Sequence, residues 1–231
     1  MSVNPLSRLL TVDLFEYPSI INIFSKTESQ LKSDAKAITN GINSNVCRNF
    51  RSFSVNLATL EICNSRFSEK QVSRIDENFC YYSYGRRFPL DRSSFRAPKG
   101  ASCLVKKTFS GDVSGEIGES LFTYLLLTEM GVDSYEISHL RPGKKSAFLV
   151  PDFLIYDTQY RLSSLMHNSS YRIPLLAEVK GFTGGIEPGR IFHALEQLQI
   201  LIGRSYTGLV FLAARNQVRR RYDAYVLRVE K

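Results

Sequence analysis

Two strand-like runs in the second half of the chain carry charge where an interior strand should not. Ile173–Phe182 reads IPLLAEVKGF, and alternation along a strand sends Glu178 and Lys180 to one face while Leu175, Ala177 and Val179 take the other. Ala147–Tyr156 reads AFLVPDFLIY, and there Asp152 interrupts apolar residues on both sides. Its neighbour Pro151 has no N–H for a ladder, so a break or bulge is expected at that point. Charged side chains are rarely buried unless they are paired or bound to metal. Paired as neighbours, the two runs would bring Asp152 and Glu178 together with Lys180 beside them. Two carboxylates at one site repel, and a divalent cation relieves the repulsion. Oxygen donors of this kind suit Mg2+, which keeps several waters and often meets substrate phosphate. Such an ion polarises a phosphodiester and lowers the pKa of a bound water, leaving Lys180 to orient that water and stabilise developing charge. The same residues also read as a strand-end salt bridge between Glu178 and Lys180, or as a solvent-facing pair.

The elements around these runs have clearer patterns. Ser114 reads as an N-cap, with Glu116 and Glu119 in the first turns. Ile117, Leu121, Phe122, Leu125, Leu126 and Met130 follow at helical spacing, and Gly131 is placed to end the helix. Pro188 and Gly203 bracket a second helix, whose apolar face is Ile191, Leu195, Leu198, Leu201 and Ile202 and which also carries Glu196, Gln197 and Gln199. Gly208–Ala214 and Tyr222–Val229 are further strands. The order is helix, strand, strand, helix, strand, strand. The 147–182 pair is expected antiparallel around an extended hairpin loop at Asp157–Arg172, and the 173–214 unit is expected as a right-handed crossover to a parallel neighbour. This gives an α/β (α+β) fold with a mixed sheet flanked by helices. Gly181–Gly189 lacks the Lys-Ser/Thr of a P-loop and reads as a βα loop bordering the site.

With these residues in place, the chain resembles the PD-(D/E)XK nuclease superfamily, the restriction-endonuclease-like fold. The resemblance rests on Pro151-Asp152, on Glu178-Val179-Lys180 in the next strand, on the acidic helix Gly115-Glu116-Ile117-Gly118-Glu119, and on Glu196-Gln197 in the following helix. It covers roughly residues 112–231, and only two of the three strands expected between the helices are evident. The resemblance implies that Asp152 and Glu178 bind the metal with the Val179 carbonyl, that Lys180 is the catalytic lysine, and that Glu119 is an additional metal or water contact. Glu119 is preferred to Glu116, which sits nearer the helix N-terminus and reads more simply as a capping acid. Gln197 is either an orienting group or a plain polar helix position, and Gln199 is a weaker candidate. The implied activity is Mg2+-dependent hydrolysis of phosphodiester bonds in DNA, with Mn2+ expected to substitute. The implied context is a prokaryotic or phage defence system, cytoplasmic, working with a helicase or ATPase partner. Cleavage of both strands of a duplex would favour a homodimer.

Composition agrees with a nucleic-acid partner. The 231 residues hold 30 Lys and Arg against 22 Asp and Glu, a net charge of +8. Between Arg86 and Lys107 seven basic residues, Arg86, Arg87, Arg92 and Arg96 among them, face the single acid Asp91. A second basic group, Arg215, Arg219, Arg220 and Arg221, falls between the last two strands, where it could reach phosphates. Both groups also read as ordinary solvated surface. Residues 1–110 have weak periodicity, with a helix-like stretch at Ser29–Ile42 and strand-like pieces at Phe53–Cys63 and Asn78–Tyr84. They are set apart as an N-terminal region that binds substrate or partner, ahead of a nuclease-like domain at 111–231. Cys47, Cys63, Cys80 and Cys103 form no CxxC pair and read as free buried thiols, which argues against a zinc module. His139, His167 and His193 have no metal-ligand spacing among themselves. No apolar run reaches the roughly 20 residues of a membrane helix, and no leader of signal-peptide type is evident, so an intracellular protein with no membrane partner is expected. A second functional class stays open: a non-catalytic nucleic-acid-binding or assembly subunit that keeps the fold, with the basic segments acting and the acids serving as salt bridges.

Overall fold

The computed structural model describes residues 9–56, 59–60, 111–140, 151–167, 171–202, 207–216, 218–219 and 221–230, with the backbone alone at 111–114, 116 and 200–201. In chain order the elements are β1 (Leu9–Glu16), β2 (Ile21–Asn22), α1 (Glu28–Asn43), β3 (Arg48–Asn56), α2 (Gly111–Tyr124), β4 (Ile137–His139), β5 (Phe153–Ile155), α3 (Ser163–Met166), β6 (Leu175–Phe182), α4 (Pro188–Ile202), β7 (Thr207–Asn216) and β8 (Arg221–Glu230). The strands form one mixed sheet in the order β3-β1-β8-β7-β6-β5-β4, with β2 beside β8. The β5–β6 pair is antiparallel and the β6–β7 pair parallel.

Helices cover both faces of the sheet, which is why β6 and β7 read as nearly continuous apolar runs. On one face α2 and the wider helical turn that continues it at Leu125–Glu129 lay Ile117, Leu121, Phe122 and Leu125 over Ala177, Val179 and Phe211. Phe122 sits between Phe153 and Phe211, with ring centroids at 5.4 and 5.1 Å. On the other face α1 and α4 bury Leu31, Ile38, Leu195 and Leu198 against Leu176, Val210 and Leu212. Helix α1 starts in a capping box, in which the Gln30 N–H donates to Thr27 Oγ1 at 3.3 Å and the Thr27 N–H donates to Gln30 Oε1 at 2.8 Å. Gln199 ties α4 to the turn before α1 by donating to the carbonyls of Ile23 and Lys26, both at 2.8 Å, so its part is architectural.

The segment whose pattern gives least away, residues 9–56, supplies β1 and β3 to this same sheet. β1 lies parallel to β8 and antiparallel to β3. The strands before and after residue 110 therefore share one hydrogen-bonded layer. The strand expected at Phe53–Cys63 begins earlier and ends at Asn56. The piece at Asn78–Tyr84, the first residues of the Ala147–Tyr156 run, Gly203 and the cysteines other than Cys47 lie outside the described residues.

Three further details differ from the sequence reading. A strand that the sequence does not mark, β4, is three residues long and pairs antiparallel with β5. Ser114 lies inside α2, which already runs from Gly111. The polar stretch Asp157–Arg172 is not a plain hairpin loop: it contains α3, and Asp157 is buried, accepting N–H groups of Arg161 and Leu162 at 2.9 and 2.7 Å and the Tyr171 hydroxyl. A buried carboxylate with three donors organises the turn from within. Among the described residues no helix is long and apolar enough to cross a membrane.

Candidate functional site

The site forms where β5 begins beside the middle of β6. Pro151 precedes Asp152, and the ladder between β5 and β6 starts only at Phe153, which pairs with Ala177. Asp152 thus makes no ladder pair with β6: its carbonyl accepts the Leu140 N–H at 2.6 Å on the β4 side, while its N–H and its side chain turn to β6. Its N–H donates to Glu178 Oε2 at 3.1 Å, and its Oδ2 accepts the Val179 N–H at 2.8 Å. Leu176 and Phe182 belong to the core under α1 and α4, so strand parity puts Glu178 and Lys180 on that face. The Lys180 ammonium donates to Glu178 Oε1 and, at 2.9 Å, to Gln197 Oε1 on α4. Gln197 is therefore joined to the lysine rather than being a plain surface position.

Helix α2 reaches the site from the opposite face. A Cβ on Gly118 would lie 3.2 Å from the Gly181 backbone, so α2 crosses β6 almost at backbone contact. That approach carries the next residue, Glu119, to the sheet. Glu119 Oε2 stands 2.8 Å from His139 Nε2, at the end of β4. Single donor atoms of Glu119, His139 and Asp152 all lie within 4.8 Å of one another. Asp152 stands at the junction of two groups: Glu178, Lys180 and Gln197 on one side, Glu119 and His139 on the other.

The electrostatics follow from this crowding. Burial, followed by the charge of Glu119, pushes Asp152 up to about 6, while Lys180 pulls the other way. Glu178 is fully buried, and burial followed by the charge of Asp152 raises it well above the carboxylate range. Burial alone would lower Lys180. The carboxylates of Glu178, Asp152 and Glu119 outweigh it, and the net shift is upward. Lys180 is thus an ammonium near neutral pH, a hydrogen-bond donor and a positive charge rather than a base. Ionised together, the three carboxylates would outnumber the one lysine, and a divalent cation among Glu119, His139 and Asp152 would relieve the repulsion that raises Asp152 and Glu178. The donor chemistry fits such an ion, with Glu178 adjoining through the Asp152 backbone.

The chain matches no protein-family model, no curated protein and no solved structure.

Of the residues singled out from sequence, Asp152, Glu178, Val179, Lys180, Glu119 and Gln197 come together, with Val179 taking part through its backbone. His139 joins them although its spacing from the other histidines gave no signal. Its only sequence marker is a position in a three-residue strand. Gly184 and Gly185 are exposed in the β6–α4 loop, and Arg190 closes that loop by donating to the Gly181 carbonyl.

The basic residues divide. Arg86, Arg87, Arg92, Arg96 and Arg220 lie outside the described residues. Arg219 is exposed in the β7–β8 turn, and Arg215 is half-buried on β7. Lys180 is level with Leu212 on β7, so both arginines lie beyond it toward the C-terminal end of β6. Arg221 is committed elsewhere: its guanidinium pairs with Asp13 and lies 3.2 Å from Asp223. It joins β8 to β1, and using it for phosphate would cost that buried pair.

Proposed function

We propose that this protein is a metal-dependent nuclease of the PD-(D/E)XK type that hydrolyses phosphodiester bonds in DNA. The observation that carries the reading is the meeting of Asp152, Glu178 and Lys180 at the β5–β6 break, reached from the other face by Glu119. On this reading Asp152, Glu119 and Glu178, with the Val179 carbonyl, hold a divalent cation, for which Mg2+ and Mn2+ are the candidates. Such an ion supplies Lewis acidity toward a phosphodiester oxygen and a more acidic water. The protein's own groups do the rest. Lys180, held as an ammonium, directs its protons at the attacking water and at the charge growing on phosphate. Gln197 and Glu178 fix the lysine's position. Arg219 and Arg215 hold the phosphate backbone on the side of the sheet end they share with the β6–α4 loop.

The reading is tested by incubating labelled duplex DNA, single-stranded DNA and RNA with the protein in Mg2+, Mn2+ or EDTA, beside Asp152→Ala. Metal-dependent DNA cutting that the variant lacks is the expected result. DNA binding without cutting, equal in both proteins and indifferent to metal, would favour a non-catalytic binding subunit. A helicase or ATPase partner and a defence role belong to the same proposal and rest on the resemblance alone.

A further inference from the structure

We infer that His139 is a nitrogen ligand of the cation at this site and makes the protein select Mn2+ over Mg2+; this rests on the metal-site reading above. The inference starts from where the imidazole stands. His139 ends β4, is 5% exposed, and packs edge-on against Phe153 with centroids 5.0 Å apart, so the ring is fixed by the core. Its Nε2 faces Glu119 Oε2 at 2.8 Å, and an Asp152 carboxylate oxygen completes a triangle with all separations within 4.8 Å. Two donors each about 2.1 Å from one ion, in adjacent corners of an octahedron, lie about 3 Å apart. The Glu119–His139 separation is that of neighbouring ligands. The three donors come from α2, β4 and the start of β5, so packing of both layers of the fold holds the triangle.

The donor type sets the choice of metal. Carboxylate oxygens suit Mg2+ and Mn2+ alike, whereas imidazole favours the transition ion, and Mg2+ gives up its waters reluctantly. One buried imidazole among two carboxylates therefore tilts the site toward Mn2+. The competing arrangement is a direct hydrogen bond from His139 Nε2–H to Glu119, with no ion touching the ring.

The experiment is electron spin-echo envelope modulation on the full-length protein with substoichiometric Mn2+, using unlabelled protein and protein grown with 15N-histidine. A 14N modulation that changes on labelling is expected. The other histidines are paired elsewhere, His167 with Glu16 and His193 with Glu196. His139→Gln should lose the nitrogen signal and bind Mn2+ at least about tenfold more weakly, as loss of even an outer partner of a ligand can do. Its Mg2+ affinity should change little. Mn2+ bound without nitrogen modulation overturns the role of His139 and leaves the metal site standing. No Mn2+ bound by the wild type overturns both. The isotope comparison needs no substitution, so a folding defect in His139→Gln would not obscure the answer.

Discussion

Buried charge occurs in two parts of this sheet, and the two are built on opposite principles. Along β1 and β8 the buried carboxylates Asp13 and Glu16 each meet a guanidinium. Glu16 pairs with Arg228 at 3.0 Å with both side chains 9% exposed, and Asp13 pairs with Arg221 while accepting the Ser52 hydroxyl at 2.6 Å. Arg228 also donates to the Met166 carbonyl at 3.2 Å. At the β5–β6 break Glu119, Asp152 and Glu178 crowd around one lysine; burial and then the charge of Glu119 push Asp152 up in pKa, and burial and then the charge of Asp152 push Glu178 up. The first arrangement sets opposite charges against one another within the chain and holds elements together. The second crowds three carboxylates about one lysine, the condition in which a protein site holds a cation or poises groups for catalysis.

Variants separate the two. Asp152→Asn should abolish metal-dependent cleavage, a loss of more than about a thousandfold, yet leave thermal stability in EDTA unchanged or raised, because it removes a repelling charge. Paired cleavage and melting measurements check this, and a large fall in melting temperature would place Asp152 with the structural pairs. Arg228→Met should do the reverse. It leaves buried Glu16 with His167 in place of the guanidinium and should cost up to about 3–5 kcal/mol in denaturant unfolding, with metal affinity retained by the folded fraction.

Gly118→Val tests how α2 delivers Glu119. The added side chain meets the Gly181 backbone and Val179, so the helix must move outward. Metal affinity should fall about tenfold, the scale of disturbing a ligand's support, and calorimetric titration reads it.

The β5–β6 site should also show a pH response. Asp152 is raised from its ordinary value to about 6 in the folded state. A carboxylate raised by folding takes up its proton more readily in the native state, so its stabilising effect is complete below about pH 4 and is lost as pH rises through about 6. Metal-free protein should lose this contribution between those values, and Asp152→Asn should lack it when melting is followed across the range. Added Mn2+ should stabilise the wild type increasingly over the same interval, as protons cease to compete.

The smallest effect is expected at the surface. Arg219→Ala should weaken DNA binding at every sequence and reduce the slope of log affinity against log salt by about one. Arg221 is paired with Asp13, and its replacement should show in stability instead.

The parts of this site legible in sequence are those with a strong period. Glu178 and Lys180 stood out because a strand of period two left two charges on one face of LLAEVKGF, and Pro151 announced the break that frees Asp152. Glu119 and Gln197 were placed by helices with clear apolar faces. His139 was not legible, because β4 has three residues and no alternation can be read from ISH. The burial of Asp157 was equally hidden, since its donors, Arg161, Leu162 and Tyr171, are brought round by the fold of the turn. β1 is not legible in the sequence and β3 only from Phe53 onward, since β3 sits at a sheet edge, where exposed Arg, Asn and Ser replace the apolar pattern before that residue.

The most direct measurement is a calorimetric titration of Mn2+ into metal-free wild type and Asp152→Asn at neutral pH, with circular dichroism on both. One ion bound by the wild type and none by an equally folded variant would show that the crowded carboxylates form a cation site. Equal binding by both proteins, or no binding by a folded wild type, would show that the charge at the β5–β6 break is settled within the chain, as it is along β1 and β8.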